Sequence, residues 1–173
     1  GDRNRVPWED PERVDGSTQM TPALRDAIAE RLRDPEDVVL ARDILGTTDP
    51  DVIARQVEAF VPGVTGCPLF IQSVGAVFVL DRGAERFVLK VHRFGARLRD
   101  FETLAEIEAV YAAQAELASA GLPCARVLAP PRPFTPGRAA ATMSYLESEV
   151  IDDPHAPTTA PALAAMAARI SAA

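Results

Sequence analysis

The sequence predicts an α+β domain in which short helices precede an antiparallel sheet that carries one long helix. Two observations predict this fold class. Between residues 21 and 60, three segments each begin with a Thr-Pro or Asp-Pro pair, which is typical of a helix start. From residue 69 onward, short apolar runs alternate with turn residues, and a long helical spacing interrupts them at residues 98–120.

Composition limits the classes of function. The 173 residues suit one domain with a real core. The net charge of −7 argues against a general nucleic-acid binder, which needs a basic face. Two isolated cysteines, Cys67 and Cys124, argue against a disulfide scaffold or a Cys-x-x-Cys metal site and fit a reduced compartment. Without a signal-peptide pattern, we expect a cytoplasmic protein.

The N-terminal third reads as a polar tail and three capped helices. Residues 1–20 are polar and are predicted to be a tail. Thr and Asp supply the N-caps, and proline takes the first helical position. The predicted helices are Pro22–Arg33, Pro35–Leu45 and Pro50–Phe60.

The next segment changes from helical to strand periodicity. The uncharged run from Phe60 to Leu80 is long enough to span a membrane, but prolines and glycines break it, so it is predicted to be a buried hairpin instead. Along the third strand, alternate residues point to opposite faces, which puts Val88, Lys90 and His92 together. The predicted strands are Leu69–Ile71, Ala76–Leu80 and Arg86–His92, with a turn at Asp81–Ala84.

The remaining elements follow from helical spacing and from glycine and proline positions. Gly121 and Pro123 end the long helix. An alanine-rich C-terminal segment predicts one more helix after a polar connector. The predicted elements are a helix at Leu98–Ala120, a strand at Cys124–Leu128, a turn at Pro130–Gly137, a strand at Arg138–Leu146 and a helix at Thr158–Ala173.

Lys90 is the residue that most strongly suggests chemistry. The chain has 17 arginines and one lysine. Because Arg and Lys are not interchangeable where a compact point charge is needed, the surviving lysine suggests that its ammonium matters. A lysine on a sheet face is costly to bury unless it meets an anion. Acids on the following helix could supply the carboxylate, and the candidates are Glu102, Glu106 and Glu108. A lysine that snorkels to water from an edge strand is the alternative.

A set of short motifs in a fixed order gives a family resemblance. From Asp51 onward the chain resembles the N-terminal lobe of the aminoglycoside phosphotransferase-like small-molecule kinases, which share the protein-kinase fold. The motifs are Val61-Pro62-Gly63, Ser73-Val74-Gly75, Phe87-Val88-Leu89-Lys90-Val91-His92-Arg93, Ala120-Gly121-Leu122-Pro123 and Thr142-Met143-Ser144-Tyr145-Leu146.

The resemblance implies a nucleotide site on this lobe. It implies that Lys90 contacts the α- and β-phosphates and that Ser73, beside Gly75, offers a hydroxyl to a phosphate. It implies an adenine ceiling from two strand valines, a gatekeeper methionine and adenine hydrogen bonds from the hinge backbone. The residues in these last roles are Val77, Val88, Met143, Ser144 and Leu146. A single glycine in the phosphate loop departs from a glycine-rich run, which weakens the expectation of backbone cradling.

The resemblance also implies that a glutamate several turns before the closing glycine pairs with Lys90. Glu106 lies about four turns before Gly121. Glu108 is about 200° round the helix from Glu106, so both cannot face Lys90. We therefore expect Glu106 to form the pair, with Glu108 as the second choice and Glu102 as the third.

The family's chemistry needs residues that this sequence does not contain. Neither a His-x-Asp catalytic loop nor a later metal motif occurs in residues 1–173, so the catalytic residues and the aspartate that holds Mg²⁺ are expected beyond this chain. The Asp152–His155 cluster matches no standard metal-site spacing. The resemblance implies an ATP-binding lobe of a small-molecule O-phosphotransferase, with Mg²⁺, ATP and a hydroxyl substrate in the complete enzyme. The chain alone is expected to be inactive.

A second hypothesis assigns the same lobe to a non-catalytic regulatory or partner-binding module. In both cases the predicted divisions are a tail at 1–20, a helical extension at 21–60, a kinase-like nucleotide-binding lobe at 61–146, and a linker with the first helix of an incomplete C-terminal lobe at 147–173. We expect no nucleic-acid and no membrane partner. A partner subunit or an oligomer remains an open expectation, because a missing lobe would expose apolar surface.

Overall fold

A computed structural model describes residues 22–95 and 101–146 of the chain. Four helices and five strands occur in these residues, which confirms the predicted α+β class. They are α1 (Pro22–Arg31), α2 (Pro35–Ile44), α3 (Pro50–Phe60), β1 (Gly66–Gln72), β2 (Ala76–Arg82), β3 (Glu85–Arg93), α4 (Leu104–Ser119), β4 (Val127–Thr135) and β5 (Arg138–Ser144). The predicted tail at 1–20 and the predicted linker and helix at 147–173 lie outside the described residues.

The starts of α2 and α3 show why these helices form where they do. The Asp34 carboxylate accepts the backbone N–H of Glu36 at 2.9 Å, and the Asp49 carboxylate accepts that of Asp51 at 2.9 Å. Each aspartate is followed by a proline at the first helical position. The side-chain oxygen satisfies a backbone donor that has no partner within the helix, and proline lacks the donor that would be left over.

All five strands form one antiparallel sheet in the order β1-β2-β3-β5-β4. The third strand is therefore central. The uncharged stretch between Phe60 and Leu80 ends α3 and builds the predicted β1–β2 hairpin, but the hairpin is not wholly buried, because Leu69, Ile71 and Val74 are exposed. Within residues 22–95 and 101–146, no helix is both long and apolar enough to cross a membrane.

The two faces of the sheet carry different packing. The face towards α1–α3, which we call the core face, holds the main core; its central strand contributes Phe87, Leu89 and Val91. The opposite face, which we call the α4 face, packs against Ile107 and Tyr111 of the long helix. The sheet residues in that second cluster are Ala139, Ala141 and Met143. Lys90 belongs to the α4 face because side chains alternate along a strand.

The predicted turn at Pro130–Gly137 is wrong, because most of it belongs to β4. Only Pro136 and Gly137 turn the chain, and Gly137 has a φ of 75°. The prolines are tolerated because β4 is an edge strand. Proline has no backbone N–H, and on the outer side of an edge strand no neighbouring strand needs that donor. The register between β4 and β5 also shifts at three places, as expected of a strand interrupted by bulges.

The long helix begins later than predicted. Helix α4 starts at Leu104 rather than at Leu98. Thr103 is its N-cap, and the Thr103 hydroxyl accepts the backbone N–H of Glu106 at 3.3 Å. Helical spacing in the sequence continued across this cap, so periodicity alone could not locate the start.

Candidate functional site

Lys90 lies in the middle of the central strand on the α4 face and is half-buried. Its register partners are Val77 in β2 and Ala141 in β5. Across residues 22–95 and 101–146, no carboxylate lies within ion-pair distance of the Lys90 ammonium and no hydrogen bond holds it. The structure therefore presents an uncompensated cation between two apolar neighbours.

The strand register arranges the side chains around Lys90 in two rows. One row crosses four strands through the successive register partners Leu69, Val79, Val88 and Met143. The adjacent row consists of Ile71, Val77, Lys90 and Ala141. Neighbours within such a row lie about 4.5–5.5 Å apart between Cβ atoms. We call six of these residues the open face: Leu69, Ile71, Val77, Val79, Val88 and Lys90.

The open face is apolar and partly accessible. Leu69 is 45% exposed and Ile71 is 38% exposed, whereas Val79 is only 5% exposed. Helix α4 packs over the β5 half of this side of the sheet and leaves the β1–β2 half without a covering helix among the described residues. Large exposed aliphatic side chains beside a cation form a surface that can bind an amphipathic anion.

Sequence reasoning placed Val77 and Val88 near Lys90, and the structure puts both on the open face. It missed Leu69, Ile71 and Val79. The period of two indicated which residues within each strand share a face. The register between strands, which decides which of them are neighbours, is not readable from a single sequence.

The predicted gatekeeper, Met143, borders the open face but is buried. It is 7% exposed, is the register partner of Val88, and packs with Ile107 and Tyr111 of α4. Its side chain therefore closes the β5 end of the valine row. A ligand on the open face would reach Met143 only at its margin.

The Arg86–Asp81 pair closes one end of the open face. These residues are register partners, and the guanidinium holds the carboxylate through two bonds of 2.7 and 3.1 Å. The hydrogen bonds from Arg86 lower the pKa of the Asp81 carboxyl below its ordinary value. Asp81 is thus already neutralised and is not a free carboxylate for a ligand or a metal.

The β1–β2 turn carries Ser73 and Gly75 at the other end. The backbone N–H of Ser73 donates to the Gly75 carbonyl at 3.0 Å, and the Ser73 side chain is exposed. A Cβ on Gly75 would lie 2.5 Å from the carbonyl oxygen of Val91, so only glycine allows this approach. Arg93, which pairs with Asp43, also donates to the Val74 carbonyl at 3.4 Å. The turn is held against β3 from two sides.

The predicted pair between Lys90 and Glu106 is not formed. The Glu106 side chain is exposed, and its carboxylate accepts the backbone N–H of Glu102 at 2.8 Å. With Thr103 as N-cap, Glu106 occupies the third helical position, and its carboxylate reaches back to the N–H one residue before the cap, which is a variant of the capping box. Glu102 and Glu108 are also exposed and do not pair with Lys90.

The predicted hinge is only partly available for a ligand. The Ser144 N–H donates to the Arg126 carbonyl at 2.8 Å, and the Ser144 hydroxyl accepts the Arg126 N–H at 2.8 Å. The N–H of Ser144 therefore cannot serve an adenine edge, which leaves its carbonyl for that role. Leu146 is 52% exposed.

His92 shares the α4 face with Lys90 but contacts the helix. Its Nε2 lies 2.7 Å from the Tyr111 hydroxyl, and its ring meets that of Phe101 edge-on at 5.5 Å. Burial raises the pKa of the Tyr111 hydroxyl above its ordinary value. These contacts join the sheet to α4 and indicate a structural role for His92.

Within the described residues, no group of three or more His, Cys, Asp or Glu side chains is placed to hold a metal ion. The chain matches no protein-family model, no curated protein and no solved structure. The residues of the open face therefore have to carry the functional interpretation alone.

Proposed function

We propose that the open face binds a nucleotide, with Lys90 contacting its phosphates and the aliphatic rows contacting its base. The observation that carries this proposal is the position of the only lysine: half-buried, between Val77 and Ala141, and without an anionic partner in the described part of the chain. A lysine on the third strand followed by a long helix is also the arrangement of the kinase lobe that the chain resembles.

The charge argument favours an anionic ligand. The Lys90 ammonium stays in contact with water, but the apolar side chains beside it remove part of its hydration, and no Coulombic partner among the described residues offsets this small cost. An anion that reaches the ammonium repays this cost, and a charge-assisted hydrogen bond is about twice as strong as a neutral one. The net charge of −7 repels anions from the chain as a whole. The unpaired Lys90 cation attracts an anion only at its own place on the sheet.

The shape argument favours a flat apolar group beside that anion. The Leu69–Val79–Val88 row runs across three strands next to the Lys90 row. Because Val79 at the centre of this row is only 5% exposed, the apolar contact for a base would come mainly from the more exposed Leu69 and from Ile71 in the Lys90 row. Ser144 and the exposed Leu146 lie at the end of β5, on the Met143 side of this row.

The proposed reaction of the complete enzyme is transfer of the γ-phosphoryl group of ATP to a hydroxyl of a small molecule. When bound, Mg²⁺ would neutralise charge on the phosphates. Among the described residues no group of three or more acids, histidines or cysteines is placed to hold Mg²⁺, and Asp81 is engaged by Arg86. This chain's own contribution is to bind and orient the nucleotide, and phosphoryl transfer depends mainly on such positioning.

Glu106 favours a second candidate, a non-catalytic regulatory or partner-binding module. An active kinase lobe needs a lysine–glutamate pair. Here the Glu106 carboxylate instead accepts the backbone N–H of Glu102, just before the start of its own helix. A module that has lost catalysis has no need of that pair, although its lysine can still bind an anion.

The test compares ATP with adenosine on two matched variants of the full chain. Calorimetric titration measures both ligands on the wild type, on Lys90→Met and on Arg55→Met; Arg55 is an exposed cation of α3 outside the open face. We expect ATP to bind about tenfold more weakly to Lys90→Met, because a charge-assisted contact is lost. Adenosine, which lacks phosphates, should bind both variants like the wild type.

Three outcomes separate the candidates. ATP binding that is unchanged by Lys90→Met would contradict the proposed role of the ammonium. Absence of both ATP and adenosine binding by a folded wild-type chain would contradict nucleotide binding and favour the partner-binding module. ATP binding that depends on Lys90 but is unaffected by Glu106→Gln would support nucleotide binding without the kinase pair.

A further inference from the structure

A cavity separate from the open face lies on the core face, on the opposite side of the sheet from Lys90. Its volume is about 360 Å³, within the range of small-ligand sites. The end of α3 forms one wall, the β2–β3 end of the sheet forms another, and β4 forms the third. The side chains that matter are Phe60, Val61, Phe87, Leu128, Arg82 and Arg132.

Two guanidinium groups line this cavity, and each lies over an aromatic ring. The Arg132 Cζ is 3.7 Å from the centre of the Phe60 ring, and the Arg82 Cζ is 5.0 Å from that of Phe87. Such cation–π contacts attract each guanidinium to its ring and restrict where the cation lies. The two cations are thus placed before any ligand arrives.

Arg132 keeps most of its donors available. One N–H donates to the Phe60 carbonyl at 2.6 Å. In the described part of the chain, Arg132 has no ion pair, whereas Arg82 pairs with Glu85 at 3.2 Å. The five N–H donors of a guanidinium form a planar fork that matches a carboxylate.

The charges around the cavity favour an anion. Two arginines and Glu85 line it, which leaves one net positive charge within a chain of net charge −7. The other walls are mostly aromatic or aliphatic, with Phe60, Phe87 and Leu128 lining the same space, and Thr142 adds one hydroxyl. This combination selects a ligand that has an anionic end and a compact apolar body.

We propose that this cavity is a binding site for a small organic carboxylate, held through its oxygens by Arg132 and through its apolar body by Phe60 and Leu128. The site is independent of the nucleotide proposal because the sheet separates it from Lys90. The domain would then bind two different ligands, one on each face of the same sheet.

The test uses benzoate as the carboxylate probe and benzamide as its neutral isostere. Binding to the full chain is followed by ¹H–¹⁵N amide shifts. We expect benzoate to shift the amides of Val61, Leu128 and Arg132, and benzamide to bind about tenfold more weakly because it lacks the charge. Arg132→Gln should abolish the shifts caused by benzoate, while Arg126→Gln, at an exposed arginine just before β4, should not.

Because Arg132 also contacts Phe60, its loss could weaken the fold itself. Glu85→Gln gives a second, gain-of-binding test, since it removes the carboxylate that competes for Arg82. We expect benzoate to bind about two- to tenfold more tightly to this variant. Lys90→Met should leave benzoate binding unchanged. Equal binding of benzamide and benzoate, or no gain in Glu85→Gln, would overturn the proposal.

Discussion

Lys90 and Val77 are register partners in the central β2–β3 pair, so the only lysine of the chain rises from an apolar row of the sheet. Its other register partner is Ala141, and its ammonium has no ion pair within residues 22–95 and 101–146. A protein that kept this charge only for stability would place a carboxylate beside it. The arrangement instead indicates a residue kept for binding at some cost in stability.

The first prediction follows from that cost. Replacing Lys90 by methionine keeps the length of the side chain and removes the charge, so the free energy of unfolding should rise by about 0.5–1 kcal/mol. Urea denaturation measures the change. Arg55→Met, at an exposed position of α3, should change it by less than about 0.5 kcal/mol. Destabilisation of Lys90→Met would show that the ammonium has a stabilising partner and is not an uncompensated cation.

The elements of the fold were predictable where local chemistry decides them. Asp34 and Asp49 predict the starts of α2 and α3. An aspartate N-cap accepts an otherwise unpaired backbone N–H of the first turn, and the proline that follows favours the first helical position. The predicted strand at Cys124–Leu128 covers only the first two residues of β4, because the prolines at 130, 131 and 133 normally exclude a strand. Only its place at the sheet edge, which depends on the whole topology, permits them.

The candidate site was predictable one strand at a time but not across strands. Alternation along β3 put Val88 and Lys90 on one face. That Leu69 lies beside Val79 depends on the register between β1 and β2, which a single sequence does not reveal. The wrong prediction that Glu106 pairs with Lys90 could have been avoided from the sequence. Thr103 lies three residues before Glu106, and this spacing is the capping-box pattern.

The second prediction concerns Glu106 as a cap. Glu106→Ala removes the acceptor of the Glu102 N–H and should lower the free energy of unfolding by about 0.5–1 kcal/mol. Glu106→Gln should lower it less, because glutamine also serves at this position of a capping box. Glu108→Ala, at an exposed neighbour, is the control. Equal stabilities of Glu106→Ala and Glu108→Ala, measured by urea denaturation, would contradict the capping role.

The third prediction concerns the close approach at Gly75. A Cβ there would lie 2.5 Å from the backbone oxygen of Val91, which is not a flexible group that can move aside. Gly75→Ala should therefore destabilise the protein by about 1–3 kcal/mol through a displaced β1–β2 turn. Ser73→Ala, at an exposed position of the same turn, should be nearly neutral. Thermal and urea denaturation of both variants measure the difference, and a neutral Gly75→Ala would show that the turn does not rest on β3.

The last prediction concerns the Cys67 thiol, which lines a cavity of about 390 Å³ between α1, α2 and β1. Burial raises the pKa of this thiol from 9.0 to about 12, while its Sγ lies 3.4 Å from the Leu69 carbonyl. The native state therefore holds the proton more tightly than the unfolded state. The stability due to this group is complete below pH 9.0 and is lost as the pH rises towards about 12.

Two measurements in a Cys124→Ala background, where Cys67 is the only thiol, check this expectation. At pH 8, iodoacetamide should modify Cys67 at least about tenfold more slowly in native protein than in urea, because the thiolate is the nucleophile. The free energy of unfolding should also fall between pH 9 and pH 10.5 more steeply than in a Cys67→Ala variant of the same background. Alkylation at equal rates in buffer and in urea, or parallel pH profiles for the two proteins, would show that the native fold does not shield the thiol.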